Sequence, residues 1–523
     1  MQARTLPVRG AALLILLHLA LLLFRVGELP LLGPDEPRYT RVAVEMHRSG
    51  DFVTPRLQGE PWLEKPVLYY WLASASFAAL GETETAARLP SIAASLFLVG
   101  VTALLGARLF GAASGLHAGF VLGTSLLPFV YGRAAAMDTL LAACVTGAIG
   151  LASLRVTGIA GPLAMPAAAA LAGLAVLAKG PLGALLPLLV IGGFVLATRR
   201  WSLAREMVAL RTVGAFVAVA APWYLLVWQA QGWRFIEVFL LNHNLQRFTS
   251  TVHNHPGPFY YYLPVLLVGL FPWSGLVLPG LASVRPLARE TDRLLLAWLG
   301  LPLLFFSSAG SKLPGYILPC LPPLALLMGR AADQLVNGPP REPLRALNRP
   351  VALTGLVLGA LLFTGPLVLR AQGEPLWLRA LPTAAWALVL TFLISRRLDA
   401  SPAGTLALWR VGGAGFLLLL ATAAPPLVAA RESGRVLFAP AHGRDVIAWG
   451  AWRTAWMAGY FYNDARVREA GTFAEVVAAL ERGTQLVLCG PGERRTIEAT
   501  PGLRVQVLAE GPRANVLLRV WRE

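Results

Sequence analysis

The chain has 523 residues, of which 56% are hydrophobic and only 14% charged, with a mean hydropathy of +0.61. A water-soluble domain carries roughly a quarter charged residues, so a soluble enzyme or scaffold is excluded and a polytopic α-helical membrane protein is indicated. The formal net charge of +17 does not call for a nucleic-acid partner, because most basic residues fall in short loops between apolar runs, where they set topology and face anionic lipid.

The first apolar run, residues 11–31, follows Arg4 and Arg9 as a signal peptide would. It lacks a clear small-residue cleavage site and more than ten apolar runs follow, so it reads as a retained span. At about 20 residues per crossing, thirteen spans are expected: 11–31, 86–107, 113–131, 138–155, 162–178, 181–198, 212–230, 259–281, 294–309, 313–330, 350–369, 381–395 and 407–429. Arg108, Arg155, Arg199, Arg200, Arg205, Arg211, Arg285, Arg289, Arg293, Arg341, Arg345, Arg396 and Arg397 share one side with Arg4 and Arg9. The positive-inside rule makes that side cytoplasmic. Thirteen spans then put the C-terminal segment outside, with the two longest loops, 32–85 and 231–258.

After residue 430 the pattern alternates helical stretches such as "TFAEVVAALERG" with β-rich runs such as "TQLVLCG". The expected division is a membrane domain, 1–430, and a small outer α/β domain, 431–523. Cys144 and Cys320 fall in spans and Cys489 in the outer domain, a pattern that gives free thiols and no disulfide framework.

The rare residues lie on the outer side. "LLGPDEPRYTRVAVEMHRSGDF" sets Asp35 and Glu36 beside Arg38 and Arg41 as the chain leaves the membrane. Asp35 reads either as a cap of the helix that follows, with Pro37 at an early helical position, or as a functional carboxylate. Of 45 basic residues only Lys65, Lys179 and Lys312 are lysine, and all three fall at outer ends of spans or in outer loops. They are interfacial anchors that snorkel, or compact ammonium groups that meet phosphate oxygens. "YGRAAAMDTLLA" adds Arg133 and Asp138, the latter a helix cap, a site residue or both; Glu64 adjoins Lys65. In "SKLPGYILP", Gly315 and the prolines kink a span, or Lys312 and Tyr316 reach a lipid phosphate. Tyr260, Tyr261, Tyr262 and Trp273 read as an interfacial aromatic belt, and His253 and His255 as a solvated loop. A transporter would place ionisable groups near mid-membrane between repeated halves; no repeat is evident and the charges gather at one face.

The stretch "GPDEPRYTRVAVEMHRSGDFVTPRLQGEPWLEKPVLYYW", followed by "RAAAMDTLLAA", "LAKGPLGALLPLL", "FLLNHNLQRF" and "SKLPGYILPCLPPLALLMG", resembles glycosyltransferase family 39. That family contains bacterial aminoarabinose transferases of lipid A and protein O-mannosyltransferases. The resemblance covers most of residues 1–330, and thirteen spans plus an outer domain match the aminoarabinose transferases more closely. It implies a GT-C fold, a polyprenyl-phosphate sugar donor, inversion at the anomeric carbon and a bacterial inner-membrane location with the site and C-terminal domain on the periplasmic side. The implied acceptor is a lipid A-like glycolipid, with protein or another envelope glycan as the alternative. By the same resemblance Asp35 and Asp138 are the catalytic candidates, and Glu36, Arg38, Lys65, Arg133, Lys179, Lys312 and Tyr316 the substrate-binding ones. Glu64 and His243 resemble a zinc-binding pair; two protein ligands make a thin site beside the usual three or four, and His243 reads first as a hydrogen-bonded loop residue and second as a ligand. Residues 331–430 carry no recognisable acceptor signature.

Overall fold

A backbone crossing hydrocarbon must satisfy its own hydrogen bonds, so apolar runs of this kind close as helices. The computed structural model of the chain describes residues 5–523 apart from 240–256, 286–288, 338–363, 365, 371–376, 398–401 and 465. In chain order the first helices are α1 (Val8–Leu23), α2 (Asp35–Ser49), α3 (Leu68–Leu80), α4 (Glu84–Phe110), α5 (Ala112–Gly123), α6 (Leu126–Gly132), α7 (Asp138–Val156), α8 (Ala164–Lys179) and α9 (Leu182–Thr198). Two compact units emerge: one of residues 1–24, 63–69 and 90–420, the other of residues 25–62, 70–89 and 421–523.

The first unit is helical. Among the described residues of the whole chain six helices are long and apolar enough to cross a membrane, and eight spans result if two bent pairs each count as one. The thirteen expected spans are therefore met in part. α8 and α9 coincide with two of them but have 16 and 17 residues, about 24–26 Å at 1.5 Å per residue, short of a hydrocarbon core of about 30 Å. Most of the expected span 350–369 lies outside the described residues.

One bent pair is α5 with α6, turned by 63°. At the break Thr124 and Ser125 donate their hydroxyls back to the carbonyls of Phe120 and Val121 at 2.6 and 2.5 Å, a local bond that competes with the helix ladder and bends it. Trp273 donates its indole N–H to Thr124 Oγ1 at 2.8 Å. Trp273 and Tyr262 are buried, at 2% and 1% exposure, which corrects the belt expectation for these two; Tyr260 is exposed. α5 packs against helix Leu321–Asn337, where a Cβ on Gly329 would overlap the α5 backbone at Ala118, the small-residue contact by which membrane helices approach closely.

In the second unit, Val446–Trp449 (β3), Val467–Ala470 (β4), Gln485–Cys489 (β5), Leu503–Glu510 (β6) and Val516–Arg522 (β7) form a mixed sheet in the order β4-β3-β5-β7-β6; the short hairpin Arg56–Leu57 (β1) with Glu60–Pro61 (β2) stands apart. β3 runs parallel to β4 and β5, and β7 antiparallel to β5 and β6. Alternation along the strands feeds two cores. Val446, Ala448, Leu486, Leu488 and Leu517 pack with Phe438 and Trp456, while Ile447, Val487, Leu518 and Val520 pack with Val476, Leu480 and Ile497. The helix expected in "TFAEVVAALERG" runs Phe473–Leu480 with Thr472 as its N-cap, accepting from Glu475 N. All three cysteines are free, and burial pushes the Cys489 thiol up to about 12.

The sheet does not form this unit alone. Residues 25–62 carry α2, whose Arg41 and Arg48 both reach Asp464, at 3.3 and 2.7 Å. Arg48 also grips Glu82 with two bonds of 2.8 and 2.6 Å. Gln58 donates to the Val467 carbonyl of β4 at 3.1 Å, and Leu31 N–H to the Tyr462 hydroxyl at 2.8 Å.

Candidate functional site

In the second unit, Gly33 at φ +62° turns the chain into Pro34, the N-cap of α2. Asp35 is the first helical residue, following Pro34 as the N-cap, and a carboxylate in the first turn is favoured by the helix dipole. The Asp35 carboxylate pairs with Arg38 one turn on, its side chain 48% exposed against 11% for Arg38. Arg38 also donates Nε to the Pro34 carbonyl at 3.0 Å and lies 5.3 Å above the Trp62 ring, a cation–π contact that fixes the guanidinium plane.

Glu36, expected at the substrate, is in the scaffold. Arg88, from the first turn of α4 and 0% exposed, donates to Glu36 Oε2 at 3.0 Å and to the carbonyls of Val26, Leu29 and Pro30 at 2.9, 2.5 and 2.8 Å. The Glu36 carboxylate in turn accepts Leu32 N–H at 2.6 Å. This buried fork holds the whole strap that delivers Asp35. Arg88 was not among the expected site residues, although an arginine inside an apolar run is itself a signal.

In the first unit Asp138 is again the first residue of its helix without a side-chain cap bond. Its carboxylate meets Lys179 Nζ, on the last residue of α8, at 2.5 Å, with exposures of 19% and 15%. The same ammonium lies 5.1 Å above the Tyr316 ring. Lys179 is therefore paired, which corrects the snorkelling alternative for this lysine. Tyr316 lies in the short 3₁₀ segment Pro314–Cys320, against which Tyr131 packs at Gly315, where a Cβ would overlap the Tyr131 ring.

Lys312 precedes that segment and is 7% exposed. Its ammonium donates to the Ala309 carbonyl at 2.6 Å, and among the described residues no carboxylate pairs with it. The neighbouring Ser311 hydroxyl is buried and, among the described residues, has no hydrogen-bond partner. Burying a cation without a counter-charge is costly, so an anionic ligand would complete the group. Arg133, 5% exposed, directs one guanidinium nitrogen at the carbonyls of Leu21, Leu22 and Phe24, at 3.0, 3.2 and 2.7 Å, and so caps the end of α1. Lys65 donates to the Glu64 carbonyl at 3.3 Å. Among the described residues no three His, Cys, Asp or Glu side chains gather as a metal site would require. His243 lies outside the described residues. The described residues thus do not by themselves fit a metal, and no step is derived through one.

Comparison with known proteins adds four findings. The profile of the dolichyl-phosphate-mannose-protein mannosyltransferase family matches residues 64–228. The undecaprenyl phosphate-alpha-4-amino-4-deoxy-L-arabinose arabinosyl transferase of Edwardsiella ictaluri is 32% identical over 419 residues, covering 76% of this chain and 73% of that protein. Its counterpart in Pseudomonas aeruginosa is 34% identical over 375 residues, 68% of this chain and 66% of that protein. The crystal structure of ArnT from Cupriavidus metallidurans bound to undecaprenyl phosphate superposes with a TM-score of 0.80 over 97% of each chain at 22% identity, which shows a shared fold.

Proposed function

The chain belongs to the GT-C membrane glycosyltransferases of family 39, among the relatives of the aminoarabinose transferases, and from that premise we propose that it moves an amino-sugar from undecaprenyl phosphate to a lipid A-like glycolipid. The reading includes thirteen spans, a membrane domain of residues 1–430, and a periplasmic placement of both the reacting groups and residues 431–523, in a bacterial inner membrane.

The observation that carries it is the buried Lys312 ammonium with no carboxylate partner among the described residues. A lipid-linked phosphate supplies the missing charge, and Ser311 a further hydrogen bond. In the transfer an acceptor oxygen forms its bond to the anomeric carbon as the bond from that carbon to the phosphate oxygen breaks, the electron pair leaving with the phosphate. In the first unit Lys312 and Lys65 are the groups proposed to stabilise that leaving group; in the second unit Arg38, taken by itself, carries a planar fork of the kind suited to phosphate. Lys179, held between Asp138 and Tyr316, is a pre-aligned cation whose carboxylate partner keeps it in place. Asp35, the most exposed of these acids, faces the acceptor. It removes the proton where the acceptor is a hydroxyl, and orients a cationic or polar group where the acceptor is an ionised phosphate. Glu36 and Arg133 contribute by holding the backbone. The Glu64–His243 zinc pair is kept as a proposal of its own; purified protein without stoichiometric zinc removes it.

Two measurements test the reading. Mass spectrometry of envelope lipids with and without the gene should show loss of one glycosylated lipid; loss of a glycosylated protein instead would favour the mannosyltransferase alternative, which the 64–228 match keeps in view. Asp35→Asn should lower transfer by about a hundred- to ten-thousandfold while the protein remains folded. More than half the wild-type rate would take Asp35 out of the mechanism.

A further inference from the structure

The transfer chemistry gives residues 421–523 no task, yet they share a compact unit with the segment that carries Asp35. We propose that Tyr462 and Asp464 are positioning residues for Asp35, so that the C-terminal segment sets the placement of the acceptor-side carboxylate. The proposal rests on the reading of Asp35 given above.

The strap before α2 is held from this side at one point. Leu31 is buried, at 1% exposure, and its N–H finds its acceptor in the Tyr462 hydroxyl at 2.8 Å, four residues before Asp35. That hydroxyl donates onward to Glu84 Oε1 at 3.2 Å, and Glu84 also meets Arg435 at 3.3 Å. Arg435 lies 5.7 Å over the Tyr462 ring. Burial, and then the Glu84 charge, raise the phenol above its ordinary range, so Tyr462 stays a neutral hydroxyl that accepts from Leu31 and donates to Glu84 together.

The middle and last turns of α2 are held by Asp464 through Arg41 and Arg48. A second line runs parallel to this one. Glu45, paired with Arg41 at 2.6 Å, accepts the N–H groups of Gln58 and Gly59 at 2.7 and 2.9 Å, and Gln58 reaches the Val467 carbonyl on β4. A helix fixed at both ends cannot tilt or slide, and proton abstraction is sensitive to such movement: a misplacement of about 1 Å costs about a hundredfold in rate.

Tyr462→Phe removes the hydroxyl and keeps the ring under Arg435. The expected result with an undecaprenyl-phosphate sugar donor is a kcat lower by about ten- to a hundredfold, an unchanged KM for the donor, and faster amide exchange in the peptide covering residues 28–36. Asp464→Asn should lower kcat in the same direction, and Asp464→Glu should restore it. In an Asp35→Asn background, Tyr462→Phe should reduce the residual transfer no further, because the two act through one carboxylate. Wild-type kcat in Tyr462→Phe, unchanged exchange over 28–36, or an additive loss in the Asp35→Asn background would each overturn the proposal. Full activity of Asp35→Asn alone marks failure of the Asp35 reading instead, and the exchange measurement separates the two cases. Should Tyr462→Phe not fold, the Asp464 pair of variants and the same exchange readout decide.

Discussion

Asp35 and Asp138 each begin a helix and look alike in the sequence, yet the fold answers them differently. Asp35 finds its cation within one turn, at Arg38, and keeps about half its side chain in solvent. Asp138 finds Lys179 on another helix, 41 residues away, and both groups are largely buried. A local pair on a helix surface adds only about 0.2–0.5 kcal/mol, so Asp35 can be lent to a substrate with little effect on the fold. Separating Asp138 from Lys179 strands a cation among helices. The distance to the partner, more than the residue type, thus divides a carboxylate left half in solvent from one locked between helices.

The largest effect should come from breaking the long-range pair. Asp138→Asn is expected to destabilise the protein by somewhat less than the about 3–5 kcal/mol seen when one partner of a fully buried pair is removed, read as a lower unfolding midpoint in detergent. Adding Lys179→Gln should recover part of that loss, since the stranded charge is then gone. A midpoint within error of wild type would erase the contrast with Asp35.

Next comes the shape of the cation. Lys65→Arg, Lys179→Arg and Lys312→Arg keep charge but replace a compact ammonium with a wide fork, and each should lower turnover more than Arg199→Lys does. The effect on donor KM should be largest at Lys312, which is the most buried of the three. Full activity in all three variants would show that the lysines serve only as anchors. Smaller again is Arg38→Gln, which loses the pair with Asp35, the bond to the Pro34 carbonyl and the Trp62 contact and is expected to cost about 1–2 kcal/mol of stability while lowering transfer clearly; a stability loss as large as that of Asp138→Asn would place Asp35 among the holding residues too.

The smallest effect is one of pH. Burial alone would raise the Asp464 carboxyl, but Arg48 and then Arg41 outweigh it and hold it below the ordinary range. A depressed folded-state pKa gives stability that is complete above the unfolded value of about 3.9 and is lost as pH falls through the folded value. Protection against exchange at residues 28–36, taken relative to the intrinsic rate at each pH, should therefore be flat from neutral pH down to that region and fall only below it; a change in protection between pH 6 and 8 would point to another group.

Much of this was legible from one-dimensional signals. Apolar length located most of the helices, "EPRYTRVAVEMHRSG" announced α2, and the scarcity of lysine led to Lys179 and Lys312. What stayed hidden depends on partners remote in sequence. Arg88 binds three carbonyls of residues 26–30, and main-chain acceptors leave no mark in the sequence. Tyr462 was one aromatic among many in a small domain. Trp273 was misplaced because an aromatic in an apolar run reads the same whether it faces headgroups or closes a helix break. The bend in the expected span 113–131 was also hidden, because hydroxyl back-bonding at Thr124 and Ser125 turns one apolar segment into two helices.

The Leu31–Tyr462 bond joins residues 431 positions apart, which gives assembly a clock. At about 5–20 residues per second of synthesis, the Asp35 strap is made roughly 20–90 s before the tyrosine that secures it. Through that interval Arg88 is already available, whereas the second fastening is not. The strap that carries Asp35 thus spends most of the chain's synthesis without the tyrosine that meets Leu31, and this contact is among the last that the chain can make.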